Sequence, residues 1–74
     1  MACINADGTL TRSGELILLC CKTPNTPEAV ARDVSQPLFK VRAAIREFAA
    51  VKFLEPAEDK WQTTAAGLAK VEGA

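Results

Sequence analysis

The feature that most constrains the fold is an apolar stripe of helical period between residues 38 and 48. Its members recur at spacings of three and four residues: Leu38, Val41, Ala44, Ile45 and Phe48. Such spacing places them all on one side of an α-helix. We therefore expect a helix from about Pro37 to Val51 whose apolar side, continued by Lys52, faces the core.

A second helix is predicted immediately before that one. Thr26 is a good N-cap residue, and Pro27 suits the first helical position because its missing N–H would have no partner there. Apolar residues follow at helical spacing, at Val30, Ala31 and Val34. The sequence Ser35-Gln36-Pro37 then predicts a short turn between the two helices.

Two short strands and a final helix are expected after residue 52. Phe53-Leu54-Glu55-Pro56 and Trp61-Gln62-Thr63 flank a polar turn, and a proline is tolerated only at a sheet edge or strand end. Thr64 is positioned to cap a last helix that carries Leu68 and Val71. Thr64-Ala65-Ala66-Gly67 resembles Thr11-Arg12-Ser13-Gly14, which we interpret as two helix starts of similar chemistry.

The first helix follows a short extended segment at Thr9-Leu10-Thr11. Thr11 or Ser13 can cap it, and it is expected to end near Lys22. The apolar run 16–21 also fits a buried strand, but its leucines and the preceding cap favour a helix. The break at residues 23–27 separates it from the next helix.

Composition limits the function classes. Seventy-four residues allow one domain, 1–74. Nine basic residues balance nine acidic ones, and a neutral chain is a poor non-specific binder of nucleic acid. Neutrality does not exclude a local basic patch. Histidine is absent, so the usual catalytic pairs are missing and we expect no enzyme, no cofactor and no metal. The cysteines form no disulfide framework, and no leader or membrane segment is recognisable, so we expect a reduced, cytoplasmic protein.

The stretch from Thr26 to Gly67 resembles the winged helix-turn-helix domains of small prokaryotic transcription regulators. The resemblance is carried by residues 26–31, Val41, Ile45, residues 53–55, residues 61–64 and Gly67. It implies a mostly helical α+β fold with a three-helix core, a two-stranded β-hairpin wing and a C-terminal helix. The helix-turn-helix would span about 26–51 and the wing about 53–64. Ser35 and Lys52 stand where glycine is common in the family.

The resemblance also implies a DNA-binding transcriptional regulator that reads duplex DNA with its third helix. The outward side of that helix carries Phe39, Lys40, Arg42, Ala43 and Arg46, and Lys60 of the wing is placed to reach a phosphate. The arginines can instead be solvated surface residues. Phe39 can tuck into the core beside Leu38, or anchor a protein partner. The alternative function is therefore a protein-interaction module that uses the same helix face without DNA, and a wing with two lysines against three carboxylates favours it.

The first helix has more apolar surface than one packed stripe needs. Leu16, Leu18 and Leu19 are therefore candidates for a homodimer interface, unless other parts of the same chain cover them. Cys20 and Cys21 admit a thiol sensor, but buried and unreactive cysteines are the expected interpretation.

Overall fold

Four helices and one β-hairpin make up the chain between residues 3 and 73, the part that the computed structural model describes. In chain order the elements are α1 (Arg12–Cys20), α2 (Pro27–Val34), α3 (Leu38–Ala50), β1 (Leu54–Ala57), β2 (Lys60–Thr63) and α4 (Ala65–Glu72). Together they form a small, compact α+β unit with a radius of gyration of 10.8 Å.

The helix starts follow the predicted caps. The Thr26 hydroxyl accepts a hydrogen bond from the N–H of Ala29, and Pro27 is the first residue of α2. Thr11, rather than Ser13, caps α1. The apolar run is helical, as predicted, although α1 ends at Cys20, two residues before the expected end at Lys22.

Left-handed residues follow the ends of both α2 and α3. Ser35 has φ 56° and Lys52 has φ 67°. At the end of α3 the N–H of Lys52 donates to the Ala49 carbonyl, and the N–H of Phe53 donates to the Phe48 carbonyl. The rings of Phe48 and Phe53 pack beside these hydrogen bonds, with their centroids 6.2 Å apart. Helices commonly end with such hydrogen bonds and an apolar contact.

The prediction that Lys52 continues the core side of α3 is wrong. The chain has already left the helix at Ala50, and the left-handed backbone turns Lys52 outward, where it is exposed. The rest of the stripe is buried as expected, with Val41, Ala44, Ile45 and Phe48 inside and Leu38 at the margin of the core.

The start of α4 is fixed by a threonine and a glycine three residues apart. The N–H of Thr64 donates to the Phe53 carbonyl at 3.0 Å. Its hydroxyl accepts from the N–H of Gly67 and donates to the Lys52 carbonyl. A Cβ on Gly67 would overlap the Phe53 carbonyl oxygen, so only glycine lets this helix lie so close to the preceding segment.

The start of α1 repeats the same arrangement. The N–H of Thr11 donates to the Cys3 carbonyl at 3.0 Å, and its hydroxyl accepts from the N–H of Gly14 at 3.1 Å. A Cβ on Gly14 would lie 2.5 Å from the Cys3 carbonyl oxygen and 3.1 Å from the ring of Phe48. The resemblance between the two helix starts therefore extends to their packing.

Strand β2 has neighbours on both sides. On one side β1 pairs with it antiparallel through a two-residue loop, with Leu54 opposite Thr63. On the other side Asn25 and Trp61 exchange two backbone hydrogen bonds, at 3.0 and 2.8 Å, and the N–H of Thr63 donates to the Cys21 carbonyl. The segment between α1 and α2, predicted only as a break, thus runs along β2.

The core is formed by residues from every helix except α4, together with the N-terminal segment and β1. Its fully or largely buried apolar members are Cys3, Leu10, Ile17, Leu18, Cys21, Val30, Ala31, Val41, Ala44, Ile45, Phe48 and Leu54. Leu10 belongs to the predicted extended segment and forms an isolated bridge with Ile4. Within residues 3–73, no helix has both the length and the apolar character to cross a bilayer.

The tight packing at Gly14 and Gly67 predicts that alanine at either position lowers stability, the reverse of its usual effect in a helix. Alanine normally stabilises a helix interior by about 1 kcal/mol relative to glycine. Gly14→Ala and Gly67→Ala should instead destabilise the chain by about 2 kcal/mol or more, because the new methyl meets backbone that cannot move aside. Urea denaturation measures this effect, with Ala66→Gly as a control for helix propensity at a neighbouring exposed position. A stabilised Gly67→Ala variant would contradict the packing.

Candidate functional site

The exposed side of α3 gathers four of the predicted site residues. Phe39, Arg42, Ala43 and Arg46 are all exposed, and we call these four residues the outer face of α3. They recur at spacings of three and four, on the side of the helix opposite the buried Val41, Ala44 and Phe48. Lys40 is half-buried beside them.

Phe39 does not tuck into the core. Its side chain is 69% exposed, because two residues correspond to about 200° around a helix and Val41 already faces inward. The expected alternative of a ring packed beside Leu38 is therefore wrong. Phe39 is a candidate contact residue because aromatic rings are enriched at protein interfaces.

Arg42 bridges two helices. Its Nη2 atom donates to the Oε2 atom of Glu28, in the first turn of α2, at 3.2 Å. Both side chains remain more than half exposed, at 53% and 62%, so the pair adds little to stability. Arg46 forms no ion pair with any residue that the structure describes. One arginine of the outer face is thus held by a partner, and the other is not.

The hairpin carries a different charge from α3. Lys60 is exposed at the first position of β2, next to the loop formed by Glu58 and Asp59. Glu55 of β1 and Lys52 before it are also exposed. Residues 52–60 therefore carry three carboxylates and two lysines. A phosphate would meet a slightly acidic hairpin beside a basic helix.

The predicted dimer residues on α1 separate into two groups. Leu18 is fully buried, so it belongs to the core of the single chain and cannot form an interface. Leu19 is 43% exposed and Leu16 is half-buried. A second exposed apolar side chain, Val51 at 44%, follows α3; the sequence places it at the end of the predicted helix and does not mark it as a contact residue.

Comparison of the chain with models of protein families, with curated proteins and with solved structures finds no match. The function of the chain must therefore be inferred from the geometry and charge of its own surface. On that surface the outer face of α3 combines exposure, positive charge and an aromatic ring within two helical turns.

The cysteines are poorly suited to redox sensing. Burial raises the pKa of Cys3 to about 11, with a smaller contribution from the nearby Glu47 carboxylate. Burial likewise raises the pKa of Cys21 to about 11 and raises the pKa of the more accessible Cys20. All three are free thiols, and no group of three potential metal ligands occurs among residues 3–73. The side chains act mainly as small apolar groups.

Thiol labelling tests this assignment. At pH 8, Cys20 should react first with a thiol-specific reagent. Cys3 and Cys21 should react only as the chain unfolds, because their thiolate fraction is on the order of one in a thousand and their sulfurs are shielded. Peptide mass spectrometry measures the rates, and labelling in denaturant supplies the control in which all three react alike. Equal rates for Cys20 and Cys21 in the folded chain would contradict it.

Proposed function

We propose that the chain is a winged helix-turn-helix module that binds duplex DNA through the outer face of α3. In this proposal α2, residues 35–37 and α3 are the helix-turn-helix, and the β1–β2 hairpin is the wing. The observation that carries it is the exposure of Arg42, Ala43 and Arg46 along one side of a helix whose other side is buried.

The chemistry of the outer face suits a DNA groove. Arginine can donate two hydrogen bonds to the O6 and N7 atoms of guanine, and an aromatic ring can contact the thymine methyl. Ala43 lies between the two arginines and, being small, allows a close approach. The 13 residues of α3 extend roughly 20 Å, which is enough to follow a groove over several base pairs.

The surrounding charge makes the proposed binding modest and sensitive to salt. The whole chain is neutral and the hairpin is slightly acidic, so Lys40, Arg42 and Arg46 would supply most of the attraction to phosphate, with Lys60 as a further contact. Affinity that comes from few phosphate contacts falls as counterions compete with them. A homodimer through the partly exposed Leu16 and Leu19 would add a second outer face for a second half-site.

A protein partner is the second candidate, and the exposure of Phe39 favours it. Exposed aromatic rings are enriched at protein interfaces, and Phe39 is the most exposed large apolar side chain that the structure describes. The acidic hairpin would not oppose such a partner as it opposes phosphate. In either case we propose a cytoplasmic binding module and no enzyme.

Two arginine variants test the DNA proposal. Arg46→Ala should weaken binding to duplex DNA about 5-fold or more at low salt, because it removes a base or phosphate contact. Arg12→Ala removes the same charge from an exposed position on α1 and should change affinity little. Fluorescence anisotropy with duplexes selected from a random pool measures both variants and their salt dependence.

The duplex-binding assay and a protein-capture assay together separate the two candidates. Failure of the unaltered chain to bind any duplex at low salt would refute the DNA proposal. Loss of a captured protein in Phe39→Ala, with capture intact in Arg46→Ala, would support the protein-interaction module instead.

A further inference from the structure

The contact between Glu28 and Arg42 connects the first turn of α2 to the middle of the outer face. The atoms lie 3.2 Å apart, and both side chains are solvent-exposed. Glu28 is thus an acidic residue beside a surface proposed to approach phosphates. Its position needs an explanation other than stability, to which an exposed pair contributes little.

The pair leaves most of the hydrogen-bonding capacity of Arg42 unused. A guanidinium group has five N–H donors in a fixed plane. One donor on Nη2 points to the Glu28 carboxylate, which leaves four for other acceptors. Two of these are enough for a bidentate contact with guanine.

We propose that Glu28 is a positioning residue that holds the Arg42 guanidinium in place and thereby sets the base preference at one position of the DNA site. This inference rests on the proposed DNA-binding function. A free arginine side chain samples many rotamers, and fixing it on binding costs entropy. A side chain that a carboxylate already restrains loses less entropy and presents its donors in fewer directions.

Glu28 also repels phosphate, and this effect has a different signature. Electrostatic repulsion from one carboxylate acts on every DNA sequence equally. Positioning of Arg42 acts only on the base pair that Arg42 contacts. Affinity for a single duplex cannot separate the two, whereas a comparison across base substitutions can.

Two substitutions of Glu28 separate the loss of its negative charge from the loss of its hydrogen bond to Arg42. Glu28→Ala and Glu28→Gln both remove the negative charge and its interaction with the N-terminus of α2. Only the glutamine variant would keep a side-chain carbonyl oxygen able to accept from Arg42 Nη2. Circular dichroism and thermal unfolding confirm that both variants fold, and Arg42→Ala identifies the base pair that Arg42 contacts.

The Arg42 and Glu28 variants should differ in their preference among base pairs. Arg42→Ala should erase a discrimination of about 10-fold or more at one base pair. Glu28→Ala should reduce the discrimination at that base pair about 3-fold or more and leave the other positions unchanged, whereas Glu28→Gln should keep most of it. The double variant Glu28→Ala, Arg42→Ala should show the same base preference as Arg42→Ala alone, because the two residues act together.

Two results of the DNA-binding experiments would overturn the inference. If Glu28→Ala and Glu28→Gln raise affinity for all sequences by the same factor and leave the preference unchanged, Glu28 acts only through its charge, while DNA binding itself stands. If the unaltered chain binds no duplex, the proposed function fails and the inference fails with it.

NMR relaxation of the Arg42 Nε–H group in the free chain tests the restraint without DNA. Its motion should be restricted in the unaltered chain and in Glu28→Gln, and faster in Glu28→Ala. Equal motion in all three would show that Glu28 does not hold Arg42, and would overturn the inference whatever the DNA experiments give.

Discussion

The placement of strand β2 is the constraint on which the rest of the structure depends. It is paired with β1 on one side and with the segment between α1 and α2 on the other. The hydroxyl of Thr63, the one buried polar side chain in the described core, donates to the Leu18 carbonyl at 2.6 Å. This bond gives a carbonyl near the end of α1 a second donor beside the N–H of Cys21, which lies 3.3 Å from it. One strand thus ties the first helix, the second helix and the hairpin together.

That arrangement determines which surface stays free. With α1, α2 and the hairpin attached to β2, the apolar side of α3 is covered by their shared core and its outer face remains exposed. The glycine at the start of α4 brings this last helix against the segment that follows α3, so the end of α3 is also fixed. The outer face is therefore carried on a helix that is packed along its apolar side and hydrogen-bonded at its end, and such support favours recognition of a groove or of a partner.

The sequence predicts the features that local chemistry controls. Thr26, Thr64 and Thr11 cap helices because each hydroxyl reaches an N–H three residues away, and the stripe of α3 is buried because its period matches the helix. The bridge between Asn25 and Trp61 and the pair of Glu28 with Arg42 join residues 36 and 14 positions apart. Such contacts depend on how the elements pack, and no local pattern marks them.

The difference between local sequence pattern and packing also explains why the predictions for Leu18 and Lys52 are wrong. Leu18 is an interface candidate from the sequence because six consecutive apolar residues do not show which of them face inward. Packing of α1 against the rest of the chain decides that. The period of the stripe places Lys52 on the core side of α3 because a lysine gives no sign of a left-handed turn; a glycine there would have shown the end of α3 directly.

The most direct measurement is a ¹H–¹⁵N NMR titration of the chain with a short duplex at low salt. We expect the amide shifts of residues 39–46 to change most, because the outer face of α3 is the proposed contact surface. Shifts confined to α1 and α4, or no shifts at all, would contradict it.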